Sequence, residues 1–225
     1  MTIIDKNIPR KEKIVKDRIQ FYNKSKNPLM SVVEISNSGV CNRSCSFCPR
    51  SDPEYREVNE FISKALHTKI FSELSELNYS GMVIYSGYVE PLLDKKIYSS
   101  ISEARKFLPN AQIEIITNGD VLNLERLKKL FESGLSTLLI SVYDGPKEEE
   151  QFYELCKKAN LRDDQYVIRN RYMSSDKNFG LNLSNRSGTL KNAGHVILPL
   201  KKELSSVCNY PAYTFFIDYN GDVQM

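Results

Sequence analysis

The sequence predicts an α/β fold, a partial (β/α)6 TIM-like barrel with a short C-terminal β-hairpin appendage. Three observations lead there. From Val32 onward, short β-branched runs alternate with longer amphipathic segments, the mark of repeated βα units around a parallel sheet. Polar, glycine-bearing segments follow successive runs, where right-handed crossovers place the reactive face of a barrel. Three of the 5 cysteines, Cys41, Cys45 and Cys48, fall together directly after the first run.

Residues 1–30 read as a basic helical segment. In it Lys6, Arg10, Lys11, Lys13, Lys16, Arg18, Lys24 and Lys26 outnumber Asp5, Glu12 and Asp17, the pattern of a solvated helix face. The barrel is expected over 31–200, with strands at 31–36, 82–86, 112–116, 137–142 and 166–171 and a sixth at 180–184. Helices fit between them at 61–77, 95–107, 122–132 and 147–160. In the first of these, Phe61, Leu66, Ile70, Phe71, Leu74 and Leu77 lie near one stripe, and Ser133-Gly134 ends the third. Residues 173–178 form only a short polar loop, which leaves a hairpin open for the last two strands. Near the C-terminus Asn220-Gly221 signals a tight turn between Phe215-Phe216-Ile217 and Val223.

With 41% hydrophobic and 26% charged residues, the chain is of ordinary folded composition, and its length allows burial of roughly 70% of the unfolded surface. Apolar runs such as 137–142 fall far short of the roughly 20 residues of a membrane-spanning helix, and no signal peptide opens the chain. A soluble cytoplasmic protein with no membrane partner is expected. The net charge of +3, spread along the chain, gives no reason for a nucleic-acid partner.

Clustered cysteines in a chain without a signal peptide point to metal or redox chemistry rather than a disulfide framework. In Cys41-Asn-Arg-Ser-Cys45-Ser-Phe47-Cys48-Pro, three thiolates on one loop suit a 4Fe-4S cube with one iron left open. Structural zinc would need a fourth ligand, and neither His67 nor His195 lies near in sequence. Cys156, beside Phe152, Leu155 and Ala159, reads as core packing, and His67 as structural or solvent-facing.

The C-x3-C-x2-C spacing with Phe47 before the third cysteine resembles the cluster loop of the radical S-adenosylmethionine (radical SAM) superfamily. The resemblance implies a 4Fe-4S cluster on Cys41, Cys45 and Cys48 that cleaves S-adenosylmethionine to a 5'-deoxyadenosyl radical, with an external reductant such as flavodoxin or ferredoxin. Ser86-Gly87-Tyr88-Val89-Glu90 resembles the family's glycine-rich segment, whose backbone meets the cofactor's methionine amine; Val89-Glu90 departs from the usual Gly-Glu. Asn118 matches a position lining the ribose and carboxylate, and Ser141 one whose small hydroxyl faces the cofactor. Asn185-Arg186-Ser187-Gly188 is similar to a segment after the last barrel strand of relatives. Arg169 and Arg171, two apart on one strand, project to one face and suit a cofactor or substrate carboxylate, or else the surface. Glu90 and Asp144 are the candidate acid or base, although carboxylates at strand ends also orient loops.

Cys208 and Gly221 are spaced as in the opening of a SPASM or twitch auxiliary-cluster extension, which places that extension at 201–225. It makes Cys208 the expected first ligand of an auxiliary iron-sulfur cluster in a longer natural chain, with this chain expected to be truncated. The expected substrate is a carbohydrate-like or other small metabolite. A peptide- or protein-modifying enzyme is the alternative, and a non-catalytic iron-sulfur or zinc electron-transfer module the alternative of another class.

Overall fold

The computed structural model describes residues 7–22, 29–45, 47–172 and 213–224. In chain order these form α1 (Asn7–Tyr22), β1 (Val32–Ile35), α2 (Lys64–Glu76), β2 (Met82–Tyr85), α3 (Ile97–Phe107), β3 (Gln112–Thr117), α4 (Leu124–Glu132), β4 (Thr137–Val142), α5 (Pro146–Lys158), β5 (Tyr166–Asn170), β6 (Thr214–Ile217) and β7 (Val223–Gln224). The strands lie in the order β5-β4-β3-β2-β1-β6-β7. All pairs from β5 to β6 are parallel, and only β7 runs antiparallel.

Alternation along the strands builds two faces. Val33, Ile35, Val83, Tyr85, Ile113, Ile115, Leu138 and Ile140 point toward the helices, where they meet Phe71, Ile97, Ile101, Leu127 and Leu130. Burying each such side chain stabilises the fold by about 1.5–3 kcal/mol. β4 is buried at every position because both its faces are covered, which explains its unbroken apolar run. On the opposite, concave face Val32, Met82 and Ile84 pack with Ile116. The helix starts are fixed by side-chain caps: Ser63 Oγ accepts from the Leu66 N–H at 3.1 Å and Asn123 Oδ1 from the Arg126 N–H at 2.8 Å.

Several expectations need correction. The basic N-terminal helix is not simply a solvated face: Ile14 packs against the concave-face cluster and Arg10 Nη2 lies 2.5 Å from Glu114 Oε2, whose side chain is 0% exposed. Phe61 and Leu77 do not belong to the buried stripe of α2. Ser63 starts that helix after Phe61, which instead makes a bridge to Ser38. The terminal hairpin is present, and β6 also lies parallel to β1, so it is the sixth parallel strand among the described residues. The strand expected at 180–184 and His195 fall outside the described residues. His67 is structural: its ring bridges Glu103 Oε2 at 2.7 Å and Tyr85 Oη at 2.9 Å beneath α2.

Candidate active site

The loop after β1 carries the three cysteines and is tied down on both sides. Asn37 Nδ2 donates to the Pro91 carbonyl at 3.3 Å and to Asp94 Oδ2 at 3.2 Å, while the Glu90 N–H donates to the Val40 carbonyl at 2.8 Å. Buried Arg50 donates from Nη1 to the Gly39 carbonyl at 3.0 Å and from Nη2 to Glu57 Oε1 at 2.9 Å. Within the loop the Cys48 N–H bonds the Cys45 carbonyl at 2.9 Å, and the Arg43 N–H points at Cys41 Sγ at 3.5 Å.

Cys41, Cys45 and Cys48 are half-buried, free thiols that line one cavity of about 520 Å³. Burial raises the Cys41 thiol and pushes Cys45 up to about 11, and the neighbouring cysteines add to both shifts. Cys41 and Cys45 therefore release their protons less readily than an unperturbed thiol, and a bound metal centre would offset that cost. No three His, Cys, Asp or Glu side chains among the described residues converge on a single-ion position. Three free thiols on one loop, at one thiolate per iron, fit a cluster, whereas structural zinc needs a fourth ligand.

The cavity brings together most of the residues singled out from sequence. Phe47, Gly87, Tyr88, Val89 and Glu90 line it, as do Asn118, Ser141, Arg169 and Arg171 from the ends of β3, β4 and β5. Gly87 has φ +117, and a Cβ there would sit 3.1 Å from Ser36 Oγ and 3.2 Å from the Phe216 ring. A side chain at this position would strain the backbone and crowd the glycine-rich loop. Gly119, at φ +81, lies against the Phe152 ring. Arg169 Nη2 donates to Ser141 Oγ at 2.7 Å, which joins β5 to β4 across the cavity wall. Phe47 stacks on Tyr143 with ring centres 5.8 Å apart, and the Arg171 guanidinium lies 5.9 Å from the Phe47 ring centre.

Glu90, 1% exposed, accepts from the Leu92 N–H at 3.0 Å, from Thr117 Oγ1 at 2.7 Å and from the Asn118 N–H at 2.7 Å. Burial pushes its carboxyl above the usual carboxylate range, although these three donors oppose the shift. With both oxygens engaged, Glu90 orders the loops that follow β2 and β3. Asp144 does not line the cavity; its side chain is 64% exposed and pairs with Arg43. Asn185 and Cys208 lie outside the described residues.

Sequence reasoning overlooked Glu34 and Lys11, which also line the cavity. Glu34 Oε1 accepts from Ser86 Oγ. A carboxylate inside the apolar run Val32-Val33-Glu34-Ile35 is the signal that marked it, and Glu114 in β3 shows the same anomaly. Arg43 was overlooked because its partners lie at positions 120 and 144, far off in sequence.

In this parallel partial barrel the strand ends gather a three-thiol loop and a polar cavity. The chain belongs to the radical SAM superfamily, whose family model matches residues 35–169, from the last residue of β1 into β5. It is 29% identical over 195 residues to the S-adenosyl-L-methionine-dependent 2-deoxy-scyllo-inosamine dehydrogenase of Niallia circulans, covering 87% of this chain and 72% of that one. It is 31% identical over 133 residues to the GTP 3',8-cyclase of Aquifex aeolicus (strain VF5), covering 54% of this chain and 38% of that one. The crystal structure of BtrN in complex with AdoMet and 2-DOIA superposes with a TM-score of 0.69 at 28% identity, over 87% of this chain and 72% of that chain. No helix among the described residues is long and apolar enough to cross a membrane.

Proposed function

We propose that this chain holds a 4Fe-4S cluster on Cys41, Cys45 and Cys48 and uses S-adenosylmethionine to oxidise an alcohol of a carbohydrate-like small molecule. The observation that carries this reading is that the three thiols share one cavity with the segment 86–90, Asn118, Ser141, Arg169 and Arg171. The cluster and cofactor supply the hard chemistry, reductive cleavage to methionine and a 5'-deoxyadenosyl radical, and the protein supplies position and exclusion of water.

In this reading the backbone of Gly87, Tyr88 and Val89 meets the methionine amine, and Asn118 and Ser141 face the rest of the cofactor. Arg169 and Arg171 present guanidinium groups to its carboxylate or to the substrate. Phe47 and Tyr143 wall the chamber. Glu90 keeps two of these loops in register rather than exchanging protons with substrate. Asn185 completes the cofactor contacts from the barrel segment 31–200. Cys208, in the extension 201–225, would be the first ligand of an auxiliary iron-sulfur cluster in a longer natural chain. The alcohol carbon would give a hydrogen atom to the 5'-deoxyadenosyl carbon, and the substrate would then lose a proton and one electron to become a ketone. In a longer natural chain an auxiliary cluster would accept that electron, and an external cytoplasmic reductant such as flavodoxin or ferredoxin would supply the barrel cluster.

The likeness to a dehydrogenase of 2-deoxy-scyllo-inosamine supports a small polar alcohol over a peptide. The test is an anaerobic reaction of iron-loaded protein with dithionite, S-adenosylmethionine and 2-deoxy-scyllo-inosamine deuterated at its alcohol carbons. Deuterium in the 5'-deoxyadenosine supports the reading. Cleavage that is neither accelerated nor labelled by any of a panel of aminocyclitols and sugars, but is accelerated by peptides, replaces it with the peptide-modifying alternative.

A further inference from the structure

We infer that Arg43 is a positioning residue, a clamp whose carboxylate partners hold the cysteine loop in register with the two loops expected to grip S-adenosylmethionine. The inference rests on the radical SAM reading and extends it from Arg43, which lines the cavity, to carboxylates outside it. Arg43 sits between Cys41 and Cys45 in sequence and lines the cavity with them, while its guanidinium reaches carboxylates of the neighbouring loops. Its Nε donates to Asp120 Oδ2 at 2.7 Å and its Nη2 to Asp120 Oδ1 at 2.5 Å. The same guanidinium donates from Nη1 to Asp144 Oδ1 at 3.0 Å and from Nη2 to Asp144 Oδ2 at 2.8 Å. One planar group therefore makes two bidentate forks, to the loop after β3 and to the loop after β4. A third carboxylate, Glu148, lies 3.7 Å from Nη2 and accepts from the Tyr143 and Asp144 N–H groups, each at 2.8 Å.

Neighbouring bonds reinforce the same junction. Asn42 Nδ2 donates to Asp120 Oδ2 at 2.7 Å, and Asn118 Nδ2 donates to Asn42 Oδ1 at 2.7 Å. Arg43 also covers the Tyr143 ring, with its guanidinium carbon 5.0 Å from the ring centre. A lone exposed ion pair contributes little, but a doubly forked guanidinium with a side chain only 20% exposed fixes geometry as well as charge. Asp144, a candidate acid or base from sequence, is thereby a partner of the clamp, held below the usual carboxylate range by its bonds from Arg43. The backbone N–H of Arg43 points at Cys41 Sγ, so the residue reaches both a thiol and the neighbouring loops.

The test compares Arg43→Ala, Arg43→Lys, Asp120→Asn and the double variant Arg43→Ala/Asp120→Asn with the unaltered chain, all loaded with iron under anaerobic conditions. A clamp predicts near-normal iron content, since all three thiols remain, but affinity for S-adenosylmethionine weakened about 10–100-fold in Arg43→Ala, the range typical of outer-shell partners. Lysine, which cannot fork, restores only part of it. The double variant loses less than the product of the two single losses. Hydrogen exchange of the 41–50 amides in iron-free protein accelerates in Arg43→Ala and Asp120→Asn. Unchanged cofactor affinity with unchanged exchange overturns the inference, as does full rescue by lysine. If Arg43→Ala does not fold, Asp120→Asn and Arg43→Lys carry the same comparison. Failure of the unaltered chain to take up iron overturns the radical SAM reading instead, and the exchange measurement then decides the clamp by itself.

Discussion

Replacing Glu90 separates an anchoring carboxylate from a proton-transferring one. Glu90→Ala removes the acceptor of two backbone N–H groups, those of Leu92 and Asn118, while the third donor, Thr117 Oγ1, can rotate and also serves the Gly119 N–H at 3.0 Å. Each buried N–H left without a partner costs about 1–3 kcal/mol, so the expected loss is about 2–6 kcal/mol. At this chain length that corresponds to a drop in Tm of about 5–20 °C. Glu90→Gln keeps the shape and one good acceptor, and about 1–3 kcal/mol is expected. The pH dependence gives a second signature. Burial raises the folded carboxyl above its unfolded value of about 4.3, so the folded state holds the proton more tightly. Relative to Glu90→Gln, the unaltered protein therefore loses stability as pH rises from about 4.3 through the folded value. Urea unfolding of iron-free protein under anaerobic, reducing conditions reads both effects. A loss below about 0.5 kcal/mol in Glu90→Ala would contradict the anchoring role, because two orphaned buried donors cannot cost so little.

Arg10→Ala leaves the Glu114 carboxylate buried without its nearest cation and is expected to cost up to about 3–5 kcal/mol and to expose α1 to trypsin; an undiminished Tm with α1 still protected would contradict the docking of that helix. Burial depresses His67, so the unfolded chain binds its proton more tightly, and stability is expected to fall as pH drops below about 6.5. Urea midpoints between pH 7 and 5 should show that decline and His67→Gln should flatten it, whereas a flat profile for the unaltered protein would refute it. Gly119→Ala places a Cβ 2.3 Å from Phe152 Cζ at a backbone φ of +81, and a loss of about 2–4 kcal/mol is expected by urea unfolding. A loss within experimental error would show that the loop after β3 relaxes freely.

The strands and the cysteine loop were legible because their signals are local. The 137–142 run coincides with β4, and Cys41, Cys45 and Cys48 specify their chemistry within one loop. Arg169 and Arg171 were placed on one face by the two-residue period alone, and both line the cavity. Long-range partners were not legible. The basic pattern of α1 does not say that Arg10 meets a carboxylate on the concave face of β3. A carboxylate just after the fourth strand likewise made Asp144 a candidate acid or base, when a guanidinium from the cysteine loop pairs with it outside the cavity. The hairpin signal at Asn220-Gly221 was local and correct, but nothing in it announced that β6 would pair with β1.

The most direct test of the account is cofactor cleavage by iron-loaded protein. With dithionite and S-adenosylmethionine under anaerobic conditions, the unaltered chain should release 5'-deoxyadenosine and methionine in equal amounts, and Cys48→Ala should release neither. Stoichiometric zinc with no iron uptake, or a fully loaded cluster that binds the cofactor and never cleaves it, would contradict the account.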